Sequence, residues 1–268
     1  MTELLFLPWR HLTRAEQIGV GALLLTFLVW AVLPAIPQDP GYHVFADQRQ
    51  WLGIPHAANV LSNAAFVLAG LYGIARLAHR DRADFSAATE AGLCCLALGL
   101  ICTGLGSAWY HLNPDDVTLA WDRLPMTLVF TGVLGIALAQ RVGQNVARVG
   151  LAILFELGVL SIVYWRMSGD LSLYLTLQFG GVAALLLLLL LTRRSDDPFP
   201  WWWVIAWYGL AKLAEAADQG IWQATNGFLA GHMLKHLAAA IAGAAALSPL
   251  RARAKRPNAR VTHSDRAV

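Results

Sequence analysis

Apolar residues run through this chain in eight long stretches, separated by short polar breaks. They lie at roughly 17–35, 56–79, 87–111, 118–140, 146–166, 171–192, 200–222 and 226–248. A helix needs about 20 mostly apolar residues to cross a bilayer, and each stretch approaches that length. Pro34, Pro37 and Pro40 mark the first break and Pro198 and Pro200 the sixth, as helix stops do. The pattern predicts an all-α fold, a polytopic membrane helix bundle, with no polar stretch long enough for a separate soluble domain. The first stretch has two readings. Arg10 and Arg14 precede it as they would precede a signal peptide. However, Ile18 to Leu33 is long for a signal core and no small-x-small site follows, which favours a retained helix.

Composition sharpens this picture. Of 268 residues, 57% are hydrophobic and only 14% charged, against about a quarter charged in soluble domains. Mean hydropathy is +0.52. The net charge of +3 is too small to suggest a nucleic-acid partner. Cys94, Cys95 and Cys102 all fall in one apolar stretch and read as small buried hydrophobes rather than a disulfide framework.

Charge placement says more than the total. Arg10, Arg14, Arg76, Arg80, Arg82, Arg141, Arg148, Arg193 and Arg194 gather on one side of an eight-span topology. The basic residues after Pro249 join them, while the other side holds only Arg49, Arg123 and Arg166. Basic loops stay inside, so both termini are expected in the cytoplasm. Trp51, Trp109, Tyr110, Trp121, Trp165 and Trp222 fall at expected outer ends and Trp201 to Trp203 at an inner one, as membrane-interface rings do. Residues 249–268 read as a disordered basic tail that can touch anionic lipid headgroups.

Ionisable groups inside spans are costly and usually face a cavity. Here they are His111, Asp122, Glu156, Lys212, Glu215, Asp218, His232, Lys235 and His236, most of them toward the expected outer face. His232 and His236 are four apart and share a helix face. That spacing suits paired imidazole ligands, but also unrelated core or surface histidines. Ser107 and His111 repeat the spacing on the third stretch at the same expected depth. Three protein nitrogens with a fourth position open is the arrangement of a catalytic zinc site.

Asp122 follows a short polar turn at Asn113 to Asp116. It can orient a ligand histidine, bond the reacting water or shuttle a proton, or be an ordinary carboxylate near a helix start. Asp115 or Asp116 is expected to cap that helix. Lys212 and Glu215 can neutralise each other, Lys235 is expected to point to another face in a structural role, and Asp218 is a candidate cavity residue. Asn59, Ser62 and Asn63 form a polar stripe. His11, His43, His56, His79 and His263 read as bystanders. No phosphate loop, Gly-x-Ser-x-Gly elbow or His-Glu-x-x-His motif is present.

Ser107-x-x-x-His111, Asp122 in Trp-Asp-Arg-Leu-Pro-Met, and His232-x-x-x-His236 together resemble the signature of the alkaline ceramidases. Those enzymes belong to a superfamily of seven-helix membrane hydrolases that also includes the progestin and adipoQ receptors. Asn59-Val-Leu-Ser-Asn63 is similar to the family's first-helix element, and Asp218 to an acidic position on its sixth helix. The resemblance extends over about residues 45–248. It implies a seven-helix core plus one additional N-terminal transmembrane helix within residues 1–44. It also implies zinc held by His111, His232 and His236, with Ser107 and Asp122 beside it, and hydrolysis of a ceramide-type amide. His56 stands where the family's calcium site has an acidic residue, and Arg123 replaces an acidic residue beside Asp122. These departures make calcium regulation doubtful.

The expected activity is therefore zinc-dependent cleavage of a ceramide-like membrane lipid to a fatty acid and a long-chain base. Asp122 would move the proton and Ser107 would stabilise the oxyanion, with Asn59, Ser62, Asn63 and Asp218 as possible cavity-lining residues. The metal site is expected toward the non-cytoplasmic face. The rival class is a lipid-responsive receptor with a structural zinc; a transporter would want charges along a path rather than at one end.

Overall fold

The computed structural model of the protein describes residues 13–79, 85–192 and 196–250. Among these residues the structure is all helical. Its helices are α1 (Arg14–Val32), α2 (Ala57–Ser62), α3 (Ala64–Ala78), α4 (Ala87–Leu112), α5 (Asp116–Arg141), α6 (Gln144–Ser168), α7 (Ser172–Leu191), α8 (Trp201–Ala216), α9 (Asp218–Ala224) and α10 (Gly231–Ala246). Five helical segments are long and apolar enough to cross a membrane, taking Ala57–Ala78 as one, and they mark a multi-pass membrane protein. Arg10, Arg80, Arg82, Arg193, Arg194, His11, His263 and the basic tail lie outside the described residues.

Eight continuous segments is not the observed count. The stretch at 56–79 divides at Asn63, and that at 200–222 divides at Ala217. The last stretch becomes helical only at Gly231. Asn226 and Gly227 take left-handed φ values of 50° and 77°, a conformation these two residue types tolerate best. The Thr225 hydroxyl then accepts the Leu229 N–H at 3.0 Å, closing the turn.

Ser86 caps α4 and Asp115 caps α5, each accepting an amide of the first turn. These two helices form the most extensive pairing in the bundle. Pro125 lies well inside α5, further from the helix start than the sequence pattern suggests. Proline has no N–H to donate four residues back, which frees the Trp121 carbonyl. That carbonyl packs against Gly106 on α4, so closely that a Cβ there would come within 2.1 Å of its oxygen. The contact brings Ser107 and Asp122, the next residue on each helix, into one neighbourhood. Gly106→Ala is expected to destabilise the fold by ~1–3 kcal/mol through overpacking. Thermal unfolding in detergent checks this, with Gly209→Ala, which meets nothing within 4 Å, expected not to destabilise.

Apolar packing divides between the two ends of the bundle. One cluster joins Leu93, Leu96 and Leu100 with Ile136, Leu189, Trp201 and Leu247. The other joins Phe45, Tyr110, Leu119, Ile162, Trp165 and Tyr174. Trp51, Trp109, Trp121, Trp202 and Trp203 are exposed, as rings at a membrane interface would be, whereas Trp165 and Trp201 are buried. The cysteines do not match their expected burial. Cys94 and Cys102 are exposed and Cys95 is half-buried, because α4 turns its small residues Gly92, Gly99 and Gly104 inward instead.

The connection from α1 to α2 folds back over one end of the bundle. Asp170 ties it down, accepting the Ile36 N–H at 2.9 Å and the Ser172 N–H at 2.8 Å. Burial works against that carboxylate's charge, but these amides and the Ser172 and Tyr164 hydroxyls outweigh it and hold its pKa below the usual range. Trp30 of α1 donates to the Ser172 hydroxyl at 3.1 Å, seating α1 beside α7.

Candidate metal centre

His111 enters from the last turn of α4, and His232 and His236 from the first two turns of α10. All three are buried. Their ring centroids are 4.9, 5.0 and 5.0 Å apart, a nearly equilateral triangle. One ligand nitrogen from each lies within 4.8 Å of the others.

The ring nitrogens are the telling atoms. His111 Nδ1 and Nε2, His232 Nε2 and His236 Nε2 are buried and have no hydrogen-bond partner. Buried polar groups are nearly always satisfied, so this convergence of bare nitrogens fits a shared cation. Imidazole donors suit zinc-like ions.

Neighbouring groups fix the rings. The Ser62 hydroxyl donates to the Asn59 carbonyl at 3.0 Å. It must therefore accept from His236 Nδ1, 2.8 Å away. This places the proton on Nδ1 and leaves the Nε2 lone pair facing the centre, the role outer partners play at metal sites. Ser62→Ala is expected to weaken metal affinity about 10–100-fold, measured by competition with a chromophoric chelator.

Asp218 clamps rather than lines. Its carboxylate accepts the His232 N–H at 2.8 Å and the Ala46 N–H at 2.9 Å, joining α9, the start of α10 and the α1–α2 connection. Phe45 from that connection packs against the His111 and His232 rings at 4.6 and 4.7 Å. His56, with φ 46°, donates from Nδ1 to the His111 carbonyl at 2.9 Å. It is thus tied to the centre rather than standing apart. Asn59 and Asn63 are buried beside Ser62; Asn63 donates to the Asn59 carbonyl at 2.8 Å.

A cavity of about 210 Å³ opens from His236 into the bundle. Ser107 and Asp122 lie side by side in its wall, the hydroxyl near enough to favour the carboxylate's charge. Asn59, Ser62, Asn63 and Asp218 are not among its lining residues. Other groups that sequence reasoning passed over are. Lys235, expected on another face, lines the same cavity as His236 and donates to Glu215 at 2.8 Å. Glu215 also takes Lys212, as its spacing suggested, and the Tyr42 hydroxyl at 3.1 Å. Burial and this carboxylate push the Tyr42 phenol well above its ordinary pKa, so it stays a donor. The available signal was a pair of lysines, Lys212 and Lys235, in apolar stretches where a charge needs a partner.

The fold and site define a class: a membrane helix bundle with a buried three-histidine centre at one end of an apolar cavity. The family model for ceramidases matches residues 54–243, and the chain belongs to the ceramidase family. Membership indicates a hydrolase acting on the amide bond of ceramide. No curated protein and no solved structure matches the chain.

Proposed function

We propose that the protein is a zinc-dependent intramembrane amidase that splits a ceramide-like lipid into a fatty acid and a long-chain base. His111, His232 and His236 would hold the ion. The observation that carries this reading is their set of buried, unpartnered ring nitrogens beside a cavity walled by Ser107 and Asp122. When bound, zinc supplies Lewis acidity for activating water and the amide carbonyl.

The remaining steps belong to the chain. Asp122 accepts a proton from the attacking water and passes it to the leaving amine. Ser107, next to it, donates a hydrogen bond to the oxyanion as charge develops there. The Asn59 carbonyl, which also accepts from Asn63, holds the Ser62 hydroxyl, and Asp218 holds the backbone of His232. Cavity residues on α5 run from Asp122 to Leu134, a rise of about 18 Å. One bilayer leaflet's hydrocarbon is about 15 Å deep, so an acyl chain would lie along the bundle with its amide at the polar end.

The catalytic domain is taken as residues 45–248. Residues 1–44 add a helix and contribute Tyr42 to the cavity, and 249–268 form a basic tail. Both termini are assigned to the cytoplasm and the metal centre to the opposite face, on the arginine asymmetry of the sequence.

Purified protein incubated with N-acyl sphingoid lipids, with and without chelator, tests this reading. Release of fatty acid that stops on chelation and returns with zinc is expected. Turnover indifferent to the chelator would overturn the metal mechanism. Stoichiometric zinc without turnover of any N-acyl lipid would favour the receptor reading.

A further inference from the structure

Arg123 has no role in the chemistry above, yet it is buried and lines the same cavity as Asp122 and His236. Its surroundings are unusual for a buried cation. One N–H donates to Gln38 Oε1 at 2.8 Å. Three aromatic rings surround the guanidinium, with centroids 4.7 Å (Trp165), 5.1 Å (Tyr42) and 5.3 Å (Tyr174) from its carbon. Its remaining N–H groups have no protein partner among the described residues.

No carboxylate forms an ion pair with Arg123 there. Asp122 influences it through space, but that carboxylate also interacts with Ser107 and Lys235. Glu215 is occupied by two lysines and Tyr42. The cavity's charged lining is therefore three cations, Arg123, Lys212 and Lys235, against two carboxylates, Asp122 and Glu215. Aromatic faces offset part of the desolvation of a guanidinium. They leave its hydrogen-bonding capacity unspent, and that planar fork matches the paired oxygens of a carboxylate or phosphate.

The geometry points to an oxyanion subsite at Arg123, beside the reacting end of the cavity, for an amphiphile carrying a carboxylate or phosphate. Two sources share this chemistry: an acidic headgroup next to the substrate's amide, and the carboxylate of a released fatty acid. The inference builds on the cavity's proposed use for an acyl lipid, but its test needs neither metal nor turnover.

Binding to chelator-treated full-length protein in detergent is measured by titration calorimetry. The probes are palmitate, N-palmitoylglycine and neutral palmitamide. A hydrogen bond to a charged group contributes enough to separate charged from neutral probes by about 10–100-fold. Wild-type protein is expected to prefer at least one anionic probe over palmitamide by that margin. Arg123→Gln should bind palmitamide as before and lose the preference, while Arg123→Lys, keeping the charge without the fork, should retain part of it. Tighter binding of N-palmitoylglycine assigns the subsite to a headgroup; tighter binding of palmitate assigns it to the product. Equal wild-type affinity for charged and neutral probes would overturn the inference, and so would a preference that survives in Arg123→Gln. If Arg123→Gln fails to fold, the wild-type comparison and Arg123→Lys decide. Chelator-sensitive turnover of neutral ceramide with no anion preference would sink this subsite and leave the amidase standing.

Discussion

His236→Ala is expected to reduce bound zinc from one per chain to near zero and to abolish fatty-acid release. The substitution does more than remove one donor of three. His236 also joins the centre to the Ser62–Asn59 relay that sets its tautomer, and it borders the cavity. Two imidazoles, from α4 and α10, would remain without the third nitrogen that closes the set. The loss should therefore exceed the 10–100-fold expected when only an outer partner is removed. Metal analysis after dialysis against weak chelator, alongside the release assay, checks both parts. His79→Ala is the control, since that exposed ring, among the described residues, bonds the Ala75 carbonyl of its own helix; it should leave zinc and turnover unchanged. Full zinc occupancy in His236→Ala would dismiss the centre.

The convergence of His111, His232 and His236 was legible because the apolar stretches at 87–111 and 226–248 are of similar length and, crossing one bundle, put their end residues at matching depths. Four-residue spacing then fixed the shared face of the α10 pair. The breaks at Asn63 and Ala217 were not legible. Polar residues flank both, Ser62 and Asn63 at the first and Glu215, Asp218 and Gln219 at the second, but hydropathy cannot tell a polar group at a helix break from one facing a cavity inside a continuous span. It also cannot separate a side chain facing lipid from one facing protein, which is why Cys94 and Cys102 were misplaced.

The α1–α2 connection was the larger omission. Tyr42, His43 and Phe45 look like loop residues in the sequence. Their importance comes from contacts far along the chain: Tyr42 with Glu215, His43 with Tyr110 and Asp116, Phe45 with His232. Nothing local encodes those pairings. Lys235 failed for a related reason. Helical spacing sets it about 100° from His236, but a cavity running along the bundle is wide enough to take both. Arg123 was noticed as a charge on the outer side and as a departure from the family pattern, not as a cavity residue. Its aromatic surroundings come from three separate elements, the connection, α6 and α7.

Asp122→Asn separates chemistry from metal binding. The amide is nearly isosteric with the carboxylate and can still accept from Ser107, so the α4–α5 packing at Gly106 should persist. Asparagine cannot take up the proton that the attacking water must lose. General acid–base groups contribute about 10²–10⁴-fold, and turnover is expected to fall by that factor with zinc content unchanged. The contrast with His236→Ala is the informative part: one variant keeps the ion and loses the rate, while the other loses both. Ser107→Ala should fall between wild type and Asp122→Asn, because an oxyanion donor is supplementary where Lewis acidity also acts on the carbonyl. Metal analysis and initial rates on the same preparations provide the check. An Asp122→Asn protein that turns over at the wild-type rate would move the proton-transfer role to another cavity group, with Glu215 the remaining carboxylate in the wall.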